Sequence, residues 1–513
     1  MRLSTKHANQ QTIQLYDFSG GLNTSNAEEM IQQNELSRAV NVEIDPSTGL
    51  LKTVQGTKRI FTDKGKKFTD LFYSEIADVF ILVDAQRNVY TLKRDGTAFT
   101  KVGVLSGQSL PCAADWEDGM IIMSGGEPQY YHSGALETIT DSEEDAEESE
   151  TNKVPNGTGV FVKDGRIYTY HGDVLRASGI GDEHNWKDDP NDESSGKWLE
   201  VGYKDGGVIV GICNLSSDIL IFKSNGNAYR LSGTYPNWSL TEIGRNIDIR
   251  GEDCCCALSN SAVALGRNTM QLITTTQTYG DMRADDIALK VRSNIADMPS
   301  DVKLRYVPYL NQIWMITGLN TFLFFDAKCN GFYSRSYNVV AVDVVNVQDD
   351  VYVLKPDGIC VLTSDEMSDD GYFLPWVFKP RAMISHNNYL IKRVIADITP
   401  FFQNKCVCNF TIGKVSLPAN MPLSSNAIYH DYDRIYLNQQ LLCNTYSKSI
   451  YINSELVFGN HAYIYGNDTY LLNAAVYRAD LRCVDREKII RVKAEGQGGQ
   501  ILFNSILFDI AEV

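Results

Sequence analysis

Between Phe68 and Asp365 the chain repeats one phrase: a short apolar strand, a tight polar turn, and another strand. Phe68–Ser74, Asp78–Asp84, Asn88–Arg94 and Ala98–Leu105 read as one four-strand packet. The rhythm returns at Val208–Cys213, Ile219–Lys223, Asn227–Ser232 and Trp238–Ile243. The joining turns are Asp-Gly or Asn-Gly at 95–96, 118–119, 164–165, 225–226, 330–331 and 357–358. These dipeptides tolerate positive φ and suit turns whose twist matches that of paired strands. Four-strand antiparallel packets at a spacing of roughly 40 residues predict a β-propeller. Packets at 68–105, 109–140, 157–202, 206–243, 252–292, 303–336 and 338–363 give about seven blades, with six as the alternative.

The last packet shows three clear strands, which would leave a raw sheet edge. A strand near Lys58–Thr62 is expected to supply the fourth and close the ring. Residues 1–50 read as an N-terminal arm, with a short helix N-capped by Asn34 and carrying Leu36, Ala39 and Val40 on one side. The propeller is expected over 51–365. From 376 to 513 the strands lengthen and blade spacing disappears. Ile490, Val492 and Ala494 alternate with Arg491, Lys493 and Glu495, which predicts one buried and one exposed face. Seven or so such strands predict a C-terminal β-sandwich, so the whole chain reads as all-β.

Two polar insertions interrupt the blades. Residues 141–156 open with Asp141, Glu143, Glu144, Asp145, Glu147, Glu148 and Glu150 and contain almost no large apolar residue, which predicts an exposed, mobile loop. Gly179–Lys197 holds Asp182, Glu183, Asp188 and Asp189 and is expected as a solvated loop with no apolar wall to shift a pKa. With Asp188 and Asp189, the seven carboxylates of 141–150 are the candidate channel-facing or partner-facing acids. The formal net charge is −17, and the seven carboxylates of 141–150 carry a large share of it; such an acidic surface disfavours a tight, salt-sensitive grip on nucleic acid while allowing passing contact with DNA in a channel.

The chemistry-bearing residues point away from catalysis. The seven histidines form no His-x-x-x-His or His-Glu-x-x-His pair, and there is no Gly-x-Ser-x-Gly elbow or phosphate-binding loop. Sialidase-type Ser-x-Asp-x-Gly-x-x-Trp turns are missing. The acidic run Asp365–Asp370 lacks the order of a calcium loop. Eleven cysteines at irregular spacing, including Cys254-Cys255-Cys256, read as small buried strand residues in a reducing cytoplasm rather than a metal or redox site. No catalytic, cofactor-binding or metal residue is expected. No run of about 18 apolar residues predicts a spanning helix, and the start Met1–Gln11 lacks a signal-peptide core.

Three phrases carry a family likeness. They are Tyr16-Asp-Phe-Ser-Gly-Gly-Leu-Asn-Thr24 with Asn34–Asp45, Gly49-Leu-Leu-Lys52 and Gln55-Gly56-Thr57, the stretch Gly207–Gly233, and the ending Arg486–Asp509. Together the chain resembles the tail-hub, or nozzle, proteins of short-tailed bacteriophages, also called packaged-DNA stabilisation proteins. The likeness spans nearly the whole chain in the order of its elements and in a few phrases. The acidic run at 141–150 is foreign to that pattern. The resemblance implies a structural virion protein: a homohexameric ring below the portal and adaptor proteins, retaining packaged double-stranded DNA and forming the ejection channel. Tail fibres or tailspikes would dock outside. Assembly would take place in the host cytoplasm, and the mature location would be the virion tail. The alternatives from the residues alone are a propeller glycosidase or sialidase-like enzyme and a propeller lectin or adhesin.

Overall fold

In the computed structural model the described residues are 10–141, 153–215, 218–275, 282–363 and 368–401, with strand segments between 406 and 512. Side chains are described to 384 and again from 489. The chain divides into two compact units: 59–324 with 339–362, and 1–58 with 325–338 and 363–513.

The first unit is the propeller. Blade one is Phe68–Ser74, Val79–Asp84, Asn88–Lys93 and Thr100–Val104. Blade two spans 112–138, blade three 158–200, blade four 209–244 and blade five 255–286, each a separate four-stranded antiparallel sheet. Blade six contributes Lys303–Val307, Gln312–Ile316 and Thr321–Asp326, while the next strand, Gly331–Ser336, groups with the other unit. Blade seven has Asp343–Val347, Asp350–Lys355 and Gly358–Thr363. The first strands of successive blades are neighbours, and the first strand of blade seven adjoins that of blade one. The ring therefore has seven blades, not six.

Its cores lie between neighbouring sheets. Ile81, Val83 and Val89 of blade one pack on Met120, Ile122 and Tyr131 of blade two. Tyr168, Tyr170 and Leu175 of blade three pack on Ile219, Ile221 and Leu231 of blade four. Each such side chain is worth roughly 1.5–3 kcal/mol when fully buried, so every blade is stabilised through its neighbours and the ring must close.

Closure uses the expected strand. Gly56–Thr62 lies beside Gly358–Thr363 as the fourth strand of blade seven. Arg59 Nη1 donates to Asp357 Oδ1 at 2.8 Å, and Asp63 N–H to Asp357 O at 2.8 Å. Ile60 and Phe61 pack on the core shared by blades one and seven. The join is tight at Gly358, where an added Cβ would meet Phe61 O at 2.0 Å, with φ at +155°.

The second unit is a sandwich. One sheet carries Val42–Ile44, Leu51–Thr53, Gln500–Glu512, Met383–Phe401 and Ala475–Ala479 in that order, with Gln10–Leu15 also paired to Gln500–Glu512. A second sheet includes Glu35–Val40, Pro375–Pro380, Val492–Gln497 and Cys406–Ile412. Trp376 and Phe378 meet Phe503 across the two layers, with ring centroids 5.2 and 4.8 Å apart. Ile490, Val492 and Ala494 are buried and Arg491 is exposed, as the alternation requires.

Residues 1–50 are thus not a separate arm; their strands belong to the same sheets as 376–513. The helix expected after Asn34 is a strand, Glu35–Val40. It pairs antiparallel with Pro375–Pro380, a partner that helical spacing of Leu36, Ala39 and Val40 cannot reveal. Buried Glu35 accepts from Asn23 Nδ2 and Gln32 N–H, both at 2.8 Å. Local propensity yields here to long-range pairing.

Substituting Gly358→Val drives a Cβ into the backbone of the closing strand. We expect a fall in melting temperature matching at least about 1–3 kcal/mol, whereas Gly251→Ala, with nothing within 4 Å of its added Cβ, should melt like the wild type. Equal melting of both variants would contradict the closure.

Candidate functional site

The acidic candidates fall into two groups. Asp141 is half-buried, and its Oδ1 accepts the Val154 N–H at 2.5 Å, which ties together the two ends of the insertion. Glu143, Glu144, Asp145, Glu147, Glu148 and Glu150 lie outside the described residues. Next to this base, His184 Nδ1 is 2.8 Å from Thr140 O.

Asp188 and Asp189 are half-buried in a loop whose residues 190–194 are exposed but whose base is held by a buried lysine. Lys197 is 1 % exposed. Its ammonium donates to Asp188 Oδ1 at 3.1 Å, to Asp189 O at 2.7 Å, to Asp192 O at 2.9 Å and to Ser195 Oγ at 2.7 Å. The Tyr235 ring lies 4.4 Å from the same nitrogen. A buried ammonium must be paired and hydrogen-bonded, so this one gathers the 188–195 backbone around itself. Arg166 does the same from below, donating to Ser178 O and Ser195 O at 2.6 Å each.

An apolar wall is present as well, contrary to the sequence reading. Trp186 is 1 % exposed and packs with Trp116, Ile121 and Ile167. Its Nε1 donates to Glu183 O at 2.8 Å, and Trp116 Nε1 donates to Glu183 Oε2 at 3.2 Å. Glu183 Oε1 is 3.8 Å from His184 Nε2, while Asp182 stays exposed and accepts the His184 N–H. The acids of 182–189 are therefore divided among separate anchors and do not converge on one point.

A cluster of five charges among the described residues was not among the candidates. It lies on the innermost strands. Lys303 Nζ donates to Asp70 Oδ1 at 2.5 Å and to Asp343 Oδ2 at 3.1 Å. Arg305 Nε donates to Asp343 Oδ1 at 2.9 Å, and its Nη1 and Nη2 reach the two oxygens of Asp253 at 3.1 and 3.2 Å. Four blades meet here: one (Asp70), five (Asp253, just before its first strand), six (Lys303, Arg305) and seven (Asp343). Asp343 has a fully buried side chain, while Arg305 keeps 21 % of its own accessible. Burial alone would raise the Asp343 carboxyl; Arg305 and Lys303 more than offset this and hold it below its ordinary value. Burial likewise works against the Lys303 ammonium, yet Asp343 and Asp70 leave it raised. The signal in the sequence was a charged residue inside the first strand of a packet, as in Lys303-Leu-Arg-Tyr-Val307, where an apolar one is the norm.

Cysteines sit on or next to the first strands of blades two, four and five. Cys213 and Cys254 are buried; Cys112, Cys255 and Cys256 are half-buried. Burial pushes the Cys112 thiol up to about 11 and Cys254 up to about 12. Cys406 and Cys408 lie outside the described side chains. Among the described residues no group of three or more His, Cys, Asp or Glu is arranged to hold a metal, and no helix is long and apolar enough to cross a membrane.

No protein-family model matches the chain, and no curated protein matches it. Solved structures similar to it include YCF48 bound to D1 peptide, at 9 % identity and TM-score 0.39, covering 60 % of this chain and 96 % of that one. BamB from Moraxella catarrhalis matches at 10 % identity and TM-score 0.38, covering 69 % and 97 %. The computationally designed Ika8 protein matches at 10 % identity and TM-score 0.36, covering 60 % and 99 %. The propeller assignment rests on the seven sheets themselves.

Asp343→Asn removes the charge that compensates Lys303 and Arg305. Breaking a buried pair costs about 3–5 kcal/mol, so the variant should melt well below the wild type at neutral pH. A lowered folded pKa contributes stability that is complete above about pH 4, the unfolded value, and is lost as pH falls through the folded one. Raised Lys303 contributes stability complete below about pH 10 and lost above. Thermal melts across pH should show the gap between wild type and variant narrowing on acidification. A gap that stays constant below pH 4 would contradict this role.

Proposed function

We propose that this chain is a structural protein of a short-tailed phage tail. It would form the hub or nozzle ring below the portal and adaptor, retain packaged DNA and provide the ejection channel. The observation that carries the reading is where the three family-like phrases fall. The Gly207–Gly233 phrase is the first three strands of blade four, Ile209–Asn214, Asp218–Lys223 and Ala228–Ser232. The opening and closing phrases share both sheets of the sandwich: Leu51–Thr53 pairs with Leu502 and Phe503, and Glu35–Val40 and Val492–Gln497 flank Pro375–Pro380. Phrases that fall on a blade and on both sandwich sheets support this reading.

Two further features support it. The acids of 182–189 are held by separate structural anchors, which suits a scaffold better than a catalytic centre. Beside Gln10–Leu15, an edge strand among the described strands, lies a cleft of about 370 Å³ lined in part by Ile13, Tyr16, Arg381 and Ile384. Tyr16 is 61 % and Ile384 57 % exposed. Exposed apolar residues along an unpaired edge are what a neighbouring copy in a ring would cover.

Cryo-electron microscopy of the virion is the test. The expected result is density for this chain in a six-fold ring at the tail, below portal and adaptor; a site without rotational symmetry, or absence from purified particles, would overturn the reading. A companion experiment addresses the enzyme alternative. Alanine at Asp182, Glu183 and His184 together should leave any glycan cleavage by the particle unchanged. Purified protein that cleaves a sialoside or polysaccharide, and loses this with the triple substitution, would refute a purely structural role.

A further inference from the structure

A chain with a formal net charge of −17 carries a face of the opposite sign. It lies on the sandwich sheet of Glu35–Val40, Pro375–Pro380 and Val492–Gln497. Trp376 and Phe378 point into the core, so alternation turns Lys379 outward. Arg38 is its cross-strand partner, and Lys493 stands one step beyond the Phe378–Ala494 pair, beside Lys379. Arg381 and Arg491 follow two residues on along the same two segments. Two of these five cations are matched, Arg491 by Glu28 and Lys493 by Glu495. Arg38, Lys379 and Arg381 have no carboxylate partner among the described residues; Arg381 Nε donates to a backbone oxygen, Glu29 O, at 3.2 Å. Arg38 is exposed and the other two are half-buried. Arg381 also lines the cleft beside Gln10–Leu15.

We propose that this face receives the acidic run 141–150 of a second copy, a contact that rests on the ring reading above. Charge complementarity picks the occupant. The run holds seven carboxylates and no cation. Its own base adds to that charge. The adjoining loop 179–197 has six carboxylates against two lysines, and one of those, Lys197, is buried and spent on the loop itself. Arg176, beneath, gives its Nη2 to Lys153 O and Trp186 O. Between the ends fixed at Asp141 and Val154, a chain of this length can carry its carboxylates up to about 20 Å out and return, far enough to touch a neighbour. Run and face are different patches, so the contact is heterologous: each copy offers its run to one neighbour and its face to the other, the kind of contact that generates a ring when the rotation closes. A nucleic-acid duplex fits the face less well. Glu28 and Glu495 stand among the cations and would repel its continuous phosphates, whereas a short peptide can set its carboxylates on Arg38, Lys379 and Arg381 alone. Exposed ion pairs are individually weak and screened by salt, so the contact depends on several at once.

Sedimentation of the full-length protein tests this with two charge reversals. The face variant carries Arg38→Glu, Lys379→Glu and Arg381→Glu. The run variant carries Glu143→Lys, Glu144→Lys, Asp145→Lys, Glu147→Lys, Glu148→Lys and Glu150→Lys, and keeps Asp141 with its bond to Val154. Wild type should self-associate in low salt and dissociate at about 1 M salt, where the screening length is about 3 Å. Each variant alone should associate about tenfold more weakly or not at all. An equal mixture of the two should associate again, because run and face are then opposite in sign at every contact between unlike copies. The run variant alters only the insertion, so it decides the matter should the face variant fail to fold. A wild type that stays monomeric in low salt, association unchanged in either variant, or no recovery in a mixture of two folded variants would overturn the contact. Duplex DNA binding lost in the face variant, with self-association untouched, would overturn it in favour of nucleic acid. A six-fold ring in the virion beside unchanged association of both variants would refute this contact and leave the tail reading standing; the expected reversals without any ring in the virion would do the opposite.

Discussion

Everything in the propeller depends on one seam, the junction of blades seven and one. Blade seven has three strands of its own and borrows Gly56–Thr62 as its fourth, from a part of the chain nearly 300 residues earlier: Arg59 and Asp357 are 298 positions apart. Without that strand Gly358–Thr363 would present a bare edge, and Ile60 and Phe61 would leave the core shared by blades one and seven. A ring whose blades are stabilised by their neighbours has no independent fragment to fall back on. Closure at one seam is thus a condition for packing at the other six.

The axial charges act at the same seam from inside. Asp70, Lys303, Arg305 and Asp343 belong to blades one, six and seven, and Asp253 extends the set to blade five. Desolvating five charged groups is costly, and such a network contributes little net stability over an apolar core. What it does supply is discrimination. Any arrangement that separates these blades leaves a buried charge without its partner, so the wrong order of blades is penalised more heavily than the right order is rewarded. The backbone ladder at the rim and the ion pairs at the axis therefore specify one closure.

Much of this was legible from residue order. Turn dipeptides at regular spacing mark the blades because hairpin turns demand particular backbone conformations, a local requirement that the sequence states openly. The closing strand was legible because three strands in the last packet implied a missing fourth. What depended on distant partners was not. Glu35–Val40 has helical spacing and becomes a strand through pairing with Pro375–Pro380. The 179–197 loop looks like a solvated acidic stretch until Lys197 and Trp186 are seen buried beneath it. The axial network was legible only in part: Lys303 and Arg305 stand out within their strand, but only the ring brings them to Asp70, Asp253 and Asp343.

The proposed role as a tail ring asks for a rigid scaffold, and rigidity here reduces to whether the seam is a true part of the core. Amide hydrogen exchange on the intact protein measures this directly. Closure by the N-terminal strand predicts that 56–62 exchange as slowly as 358–363, both opening only with global unfolding of the propeller. Fast exchange at 56–62 while 358–363 stays protected would contradict it.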